Sequence, residues 1–566
     1  MQRSSPLAAS TLALLVAALS PPAPAQPPAA PSFGASVEVE VVEVEVFVTD
    51  GRGKPVTGLT PADFRLRVDG EAREIVGFFE AAPAGNRDSS AELSPATMST
   101  ASAPAPSATT AVAAPAPTPA PARELSLVVL LDDLHLQPGG RKRTLDRLAP
   151  MLEGRVAAGD RVMVATLDRS LTVRRGFDEA GPLAEVLRAS GKRAPGGIHT
   201  EIARRQALAQ IRDLHAQRGC EALQEMRAVA SSWAQDVERE TRLTFSTLQE
   251  LLAGLAGRSG RKALLLVTEG MSLNPGLEAT LLLEQLCPGS TGGASTGLVG
   301  ALERVSRAAN AAQVTLYTLD AGGQRTLASA GDAGPGLSLA DQSAVRSDSQ
   351  DPVFALAADT GGKALLESNK PELLVADLAQ DMAAFYSLAF APRPGDAGRP
   401  HRIAVEVTRP GTRVRHRSGW DPMTREARVG GRLLAALRFG GEDDNPLGAV
   451  LETAAPQREA DGAFTVPLRL RVPAGALALV PQDGRRRGTL RVLLAVQDGE
   501  GRTTPVRALP LPVDLPAVTG AAADEVPLTV RLKLREGRNT IAVAVVDELG
   551  QQTSVLRREV LVGRAR

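Results

Sequence analysis

The sequence predicts an α/β domain with a doubly wound, mostly parallel sheet, flanked by all-β units. Three observations predict it. Residues 125–131 form an almost unbroken apolar run ending in Asp132-Asp133, the pattern of a strand buried on both faces. Runs of the same kind at 161–167, 262–267 and 314–319 alternate with helical stretches. That alternation implies right-handed crossovers and a parallel sheet. On either side, residues 37–48 and 468–472 alternate apolar with charged side chains, as half-buried strands do.

A chain of 566 residues is too long for one ordinary domain, so two to four folded units are expected. The start reads as an export signal over residues 1–25. Arg3 gives the positive end, residues 7–19 a short apolar run, and Ala23-Pro24-Ala25 the small residues before a cut near Gln26. An uncleaved anchor is the alternative reading. No cysteine follows the run, which argues against lipid attachment, and no later stretch is long and apolar enough for a membrane helix. The expectation is a periplasmic or secreted protein with no transmembrane segment after cleavage.

Residues 37–81 follow as a small β unit, with turns at Asp50-Gly51-Arg52-Gly53 and Asp69-Gly70. Residues 82–122 are rich in Ala, Pro, Ser and Thr and read as a disordered linker, because they bury too little apolar surface to offset ordering. The α/β domain is expected over residues 123–420. Within it, 171–177 reads as an edge strand, 201–256 as mainly helical, and 322–350, rich in Gly, Ala and Ser, as a mobile insertion. Strands at 386–390, 402–407 and 414–416 are expected to extend the sheet edge. Residues 429–563 read as all-β. Short strands separated by turn signals there suggest an immunoglobulin-like sandwich.

Basic and acidic side chains balance at 64 each, which gives no support for a nucleic-acid partner or an anionic membrane surface. Aromatics at 3% weaken base stacking further. Two cysteines, Cys220 and Cys287, cannot staple so long a chain. Export would permit one disulfide between them, and two buried free thiols are the alternative.

In an open parallel sheet, ligands bind beyond the carboxyl ends of the strands. Asp132 and Asp133 end the first such strand, Glu269 follows the run at 262–267, and Gly196-Gly197-Ile198-His199-Thr200 is a turn-rich loop before a helix. Residues 221–242 are heavily charged and read as a solvated face, or else as the frame of a partner surface above these loops. The chain shows no phosphate loop and no His-Glu-x-x-His pair.

Residues 123–420 resemble the von Willebrand factor type A fold, and within it the bacterial VWFA-related family of exported proteins. The residues carrying the likeness are Leu130-Leu131-Asp132-Asp133-Leu134-His135-Leu136, Gly260-Arg261-Lys262-Ala263-Leu264, Thr268-Glu269-Gly270 and Val314-Thr315-Leu316-Tyr317-Thr318-Leu319-Asp320. Thr360-Gly361-Gly362, Phe385-Tyr386-Ser387-Leu388 and Ser418-Gly419-Trp420 add to it. The resemblance implies a metal-ion-dependent adhesion site for Mg2+ or Ca2+, with Asp132, Thr200 and Glu269 as ligands. Asp133 and His135 would stand behind them. Leu134 and Leu136 occupy the two positions where that pattern has serines, so the site is degenerate. Asp132 as a cap on nearby backbone amides is the competing reading. The function implied is protein–protein interaction or adhesion at the cell envelope, without enzymatic activity. An envelope hydrolase using Asp132, Asp133 and Glu269, and a purely structural scaffold, are the alternatives.

Overall fold

The computed structural model describes residues 41–81 and 125–563, apart from 158–159, 169, 178, 180, 259, 291–296, 325–336, 394, 397, 441–444, 460–462 and 517–524. The leader expected at 1–25 and the linker expected at 82–122 lie outside the described residues.

Four strands open the described chain: β1 (Val42–Thr49), β2 (Phe64–Val68), β3 (Glu71–Arg73) and β4 (Gly77–Ala81). Val42, Val44, Val46 and Val48 all point inward, as the alternation demands.

The α/β region follows as β5 (Leu125–Asp132), α1 (Pro138–Ala157), β6 (Arg161–Leu167), β7 (Leu171–Arg175), α2 (Leu183–Gly191), α3 (Gly197–Arg218), α4 (Leu223–Ala256) and β8 (Arg261–Thr268). It continues as α5 (Leu277–Leu286), α6 (Val299–Ala312), β9 (Val314–Asp320), α7 (Leu339–Asp359), β10 (Ala364–Leu365) and α8 (Glu372–Ala383). Its sheet runs β10-β9-β8-β5-β6-β7, parallel throughout except for the antiparallel edge strand β7. The chain builds outward from β5 in one direction, then returns to lay β8 against its other side. That reversal is the doubly wound arrangement, with its crevice between β5 and β8. Both faces of β5 are buried, as its unbroken apolar run requires. Val128 and Leu130 face the layer of α4, α6 and α7, while Leu127, Val129 and Leu131 face α1, α2 and α8.

Residues 339–350, expected within a mobile insertion, instead begin α7. Ser338 caps it by accepting from the Asp341 amide at 3.1 Å, and Val353 and Leu356 anchor it in the core.

The next four strands, β11 (Phe385–Phe390), β12 (His401–Val407), β13 (Arg413–His416) and β14 (Gly419–Trp420), do not extend the parallel sheet. They interleave with the N-terminal strands in two sheets, β13-β1-β11-β4 and β14-β12-β2-β3. Val44, Val46, Leu66, Tyr386, Leu388 and Ile403 share one core. A half-buried strand satisfies its apolar face with whichever sheet offers the matching one. Local alternation does not say which. Arg261 at the start of β8 ties this unit to the parallel sheet. It donates to Glu45 of β1 at 2.7 Å and lies 3.7 Å over the Phe385 ring.

The region expected to be all-β from residue 429 begins with a helix, α9 (Arg425–Phe439). Thr424 caps it by accepting from the Ala427 amide. Val429, Leu433 and Leu437 recur at helical spacing and bury one face. The strands that follow are β15 (Val450–Thr453), β16 (Gln457–Arg458), β17 (Phe464–Pro473), β18 (Val480–Gln482), β19 (Arg485–Asp498), β20 (Arg507–Pro516), β21 (Glu525–Leu534), β22 (Gly537–Asp547) and β23 (Thr553–Val562). They form two antiparallel sheets centred on β17 and on β19-β22, with one core between them. Pro510 and Pro512 fall on β20, which among the described residues pairs with β19 alone, where a missing amide donor is tolerated. α9 covers the outer face of β19, β22 and β23 and presses its other side on α4. A Cβ on Gly257 of α4's end would come within 2.3 Å of the Arg432 backbone, so the two helices meet at backbone distance.

Candidate functional site

The carboxyl ends of β5 and β8 and the start of α3 converge on one cleft, of roughly 250 Å³, at the crevice between β5 and β8. Gln137 ties the three loops together. Its amide donates to Glu269 Oε1 at 3.0 Å, and its side-chain amide donates to the Gly197 carbonyl at 2.7 Å. Gly197 has to be glycine for this approach: a Cβ there would lie 2.3 Å from the Leu136 carbonyl oxygen. The Gly197 amide in turn donates to the Asp133 carbonyl at 2.9 Å.

Asp132 is fully buried beneath the cleft. Its Oδ2 accepts from Thr268 Oγ1 at 2.9 Å and lies 2.7 Å from His135 Nδ1. His135 stands on the cleft wall. Burial works against its charge, but Asp132 beside it and Glu240 beyond outweigh that, and its pKa is raised. Asp133 turns to the opposite side and meets the buried Arg141, whose Nη2 donates to its Oδ2 at 2.7 Å. Burial lifts the Asp133 carboxyl to about 6, further supported by Asp132 and opposed by Arg141. Arg141 also donates to the Arg193 carbonyl, so this pair fixes the loop rather than facing the cleft.

Thr200 lines the cleft, but its hydroxyl donates to Glu240 Oε2 at 3.0 Å. Glu269 lines it too, turned toward the Gln137 amide. Each expected metal ligand is therefore near the cleft and engaged by a different protein group. Asp132, Thr200 and Glu269 are thus bonded to three separate protein groups. Leu134 and Leu136, at the two serine positions, join the core layers on opposite faces of the sheet, and Leu134 also lines the cleft. Asp132 has a hydroxyl and an imidazole on Oδ2, while its buried Oδ1 has no hydrogen-bond partner. Among the described residues, Asp132, His135 and Glu269 do not bring three ligand atoms within 4.8 Å of one another.

The long helix α4 supplies residues that the sequence reading left on a solvated face. Trp233, Val237 and Glu240 recur at helical spacing and all line the cleft. That spacing was the available signal within the charged stretch 221–242. Burial raises the Glu240 pKa, against the pull of Thr200 and His135. Glu201, Glu240, Glu269, Glu278 and Asp348 surround the cleft, with Arg204 and His135 as its cationic groups. Arg204 spans Glu201 and Glu278, which joins α3 to α5. Cys220 and Cys287 are joined in a disulfide.

No family model matches this chain, and no curated protein matches it. Among solved structures, it is similar over 21% of its length to the Northeast Structural Genomics Consortium target SoR45, at 12% identity and a TM-score of 0.14, covering 88% of that chain. It is similar over 31% of its length to a Bacteroides uniformis β-glucuronidase, at 10% identity and a TM-score of 0.15, covering 19% of that chain. Likeness at these scores carries no statement about activity.

Proposed function

We propose that the chain is an exported, non-enzymatic protein-interaction module of the VWFA-related kind. It takes a basic side chain of a protein partner into the cleft between β5 and β8, without a divalent ion. The carrying observation is the cleft itself. It sits at the switch point of a doubly wound sheet, five carboxylates line it against one arginine and one histidine, and Asp132, Thr200 and Glu269 are each hydrogen-bonded to a protein group. The strand order β7-β6-β5-β8-β9-β10 supports the type A reading, and two antiparallel sheets over one core support an immunoglobulin-like C-terminal unit. The disulfide supports an oxidising compartment. The hydrolytic alternative loses Asp133 to Arg141 and Glu269 to the Gln137 amide, and among the described residues no serine or cysteine is bonded to His135.

The test is calorimetry of the full chain with lysine-rich and glutamate-rich peptides, with and without a chelator, beside the double variant Glu240→Gln and Glu278→Gln. Lysine-selective binding that survives the chelator and weakens in the variant supports the reading. Binding that requires magnesium or calcium, or that ignores both glutamates, overturns it.

A further inference from the structure

The end of α3 remote from the cleft carries a second constellation. His215 stands in its last turn, and Gly219 takes a φ of +58°, which reverses the chain and sets Cys220 beside that turn. Cys287 closes α5 and reaches the same corner. The ring nitrogen of His215 and the two Sγ atoms lie within 4.8 Å of one another. Among the described residues no other trio of His, Cys, Asp or Glu is drawn so close.

We propose that reduction of the Cys220–Cys287 disulfide converts this corner into a site for one zinc-class divalent ion, held by Cys220 Sγ, Cys287 Sγ and a His215 ring nitrogen. Two thiolates and an imidazole are a borderline-soft donor set, which selects zinc-like ions over magnesium or calcium. Ligand atoms around a tetrahedral zinc stand roughly 3.3–3.8 Å apart, so the two sulfurs have to part once the disulfide opens, while the His215 ring nitrogen already stands within 4.8 Å of both. Cys220 is exposed, so water completes the fourth position. The scaffold does not depend on the sulfur bond alone. Leu208 and Ile211 of α3, Met226 and Ala230 of α4, and Leu282 and Leu283 of α5 pack as a satellite core beneath the corner. That core keeps the ligands together once the bond opens.

The chemistry balances with a dithiol as reductant. Its thiolate attacks the exposed Cys220 sulfur, the S–S bond breaks, and Cys287 leaves as a thiolate. The second thiol of the reductant then displaces Cys220, giving two protein thiols and one oxidised dithiol. Two electrons pass from the reductant to the protein. The metal ion binds by displacing one proton from each thiol. Metal loading and disulfide closure therefore compete for the same two sulfurs. None of the three ligands lines the cleft.

The test is anaerobic titration of cobalt(II) into the full chain reduced with a phosphine, followed by zinc. The expected result is a thiolate-to-cobalt charge-transfer band that saturates at one ion per chain, is displaced by zinc, and is absent from the oxidised chain. Cys220→Ser should abolish the band. His215→Ala should weaken cobalt binding by about tenfold or more, while its oxidised form melts like the wild type. The proposal is overturned by no band in the reduced chain or by half an ion per chain. It is equally overturned by an unchanged affinity in His215→Ala, or by loss of helical circular dichroism on reduction.

Discussion

Asp132 Oδ2 lies 2.7 Å from His135 Nδ1, with Thr268 Oγ1 on the same oxygen at 2.9 Å. A fully buried carboxylate at the end of β5 thus has an internal partner that can carry positive charge. The raised His135 pKa means that the folded state favours the imidazolium. Stability from the pair is therefore complete below the ordinary histidine pKa of about 6.5 and is lost as pH rises through the folded value. In Asp132→Asn, burial should dominate and drop the His135 pKa below that ordinary value. Imidazole proton shifts followed by NMR against pH check both directions. An unchanged titration in the variant would dissolve the pairing.

The same geometry forecasts the response to metals. With Leu134 and Leu136 in the core, calorimetric titration of magnesium, calcium or manganese should show no saturable binding at millimolar cation in the oxidised chain. Saturable binding that vanishes in Asp132→Ala would restore the adhesion-site reading.

Lys262 is buried at the start of β8, donating to the Arg258 carbonyl at 3.1 Å. Burial, with Arg417 and Arg258 nearby, lowers its pKa to about 8, against the pull of Glu45. A depressed folded pKa gives stability that is present above the unfolded value and lost as pH falls through about 8. Lys262→Met should therefore stabilise the chain at pH 7 by about 2 kcal/mol. The gain should shrink in urea titrations repeated above pH 10.

The contact between α4 and α9 is the joint to the C-terminal sandwich. Gly257→Val would drive side-chain atoms into the Arg432 backbone, costing about 1–3 kcal/mol. It should speed proteolytic release of the sandwich. Gly430→Ala, on α9 but with open space at its Cβ, should instead gain about 0.5–1 kcal/mol. Equal proteolysis of the two variants would mean that the joint is held elsewhere.

The cysteine pair closes a loop with a sequence separation of 67 residues. Cys220→Ser should cost about 2–4 kcal/mol in denaturant titrations under oxidising conditions, and nothing measurable once the wild type is also reduced.

The sequence by itself determined the strands whose identity depends on local pattern. The unbroken apolar runs at 125–131 and 262–267 could only be buried on both faces, and so became β5 and β8 of a doubly wound sheet. Thr200 and Glu269 were legible as neighbours because a strand end and the Gly196-Gly197 turn face one crevice. Only the tertiary structure decided what each residue does there. Hydrogen-bond partners such as Thr268, Glu240 and the Gln137 amide come from separate elements, and no local pattern encodes their meeting. The expectation that the strands at 386–390, 402–407 and 414–416 extend the parallel sheet failed for the same reason. A period-two strand at 385–390 matches any sheet with an apolar face, and it was the Val-rich β1, over three hundred residues away, that offered the complementary one.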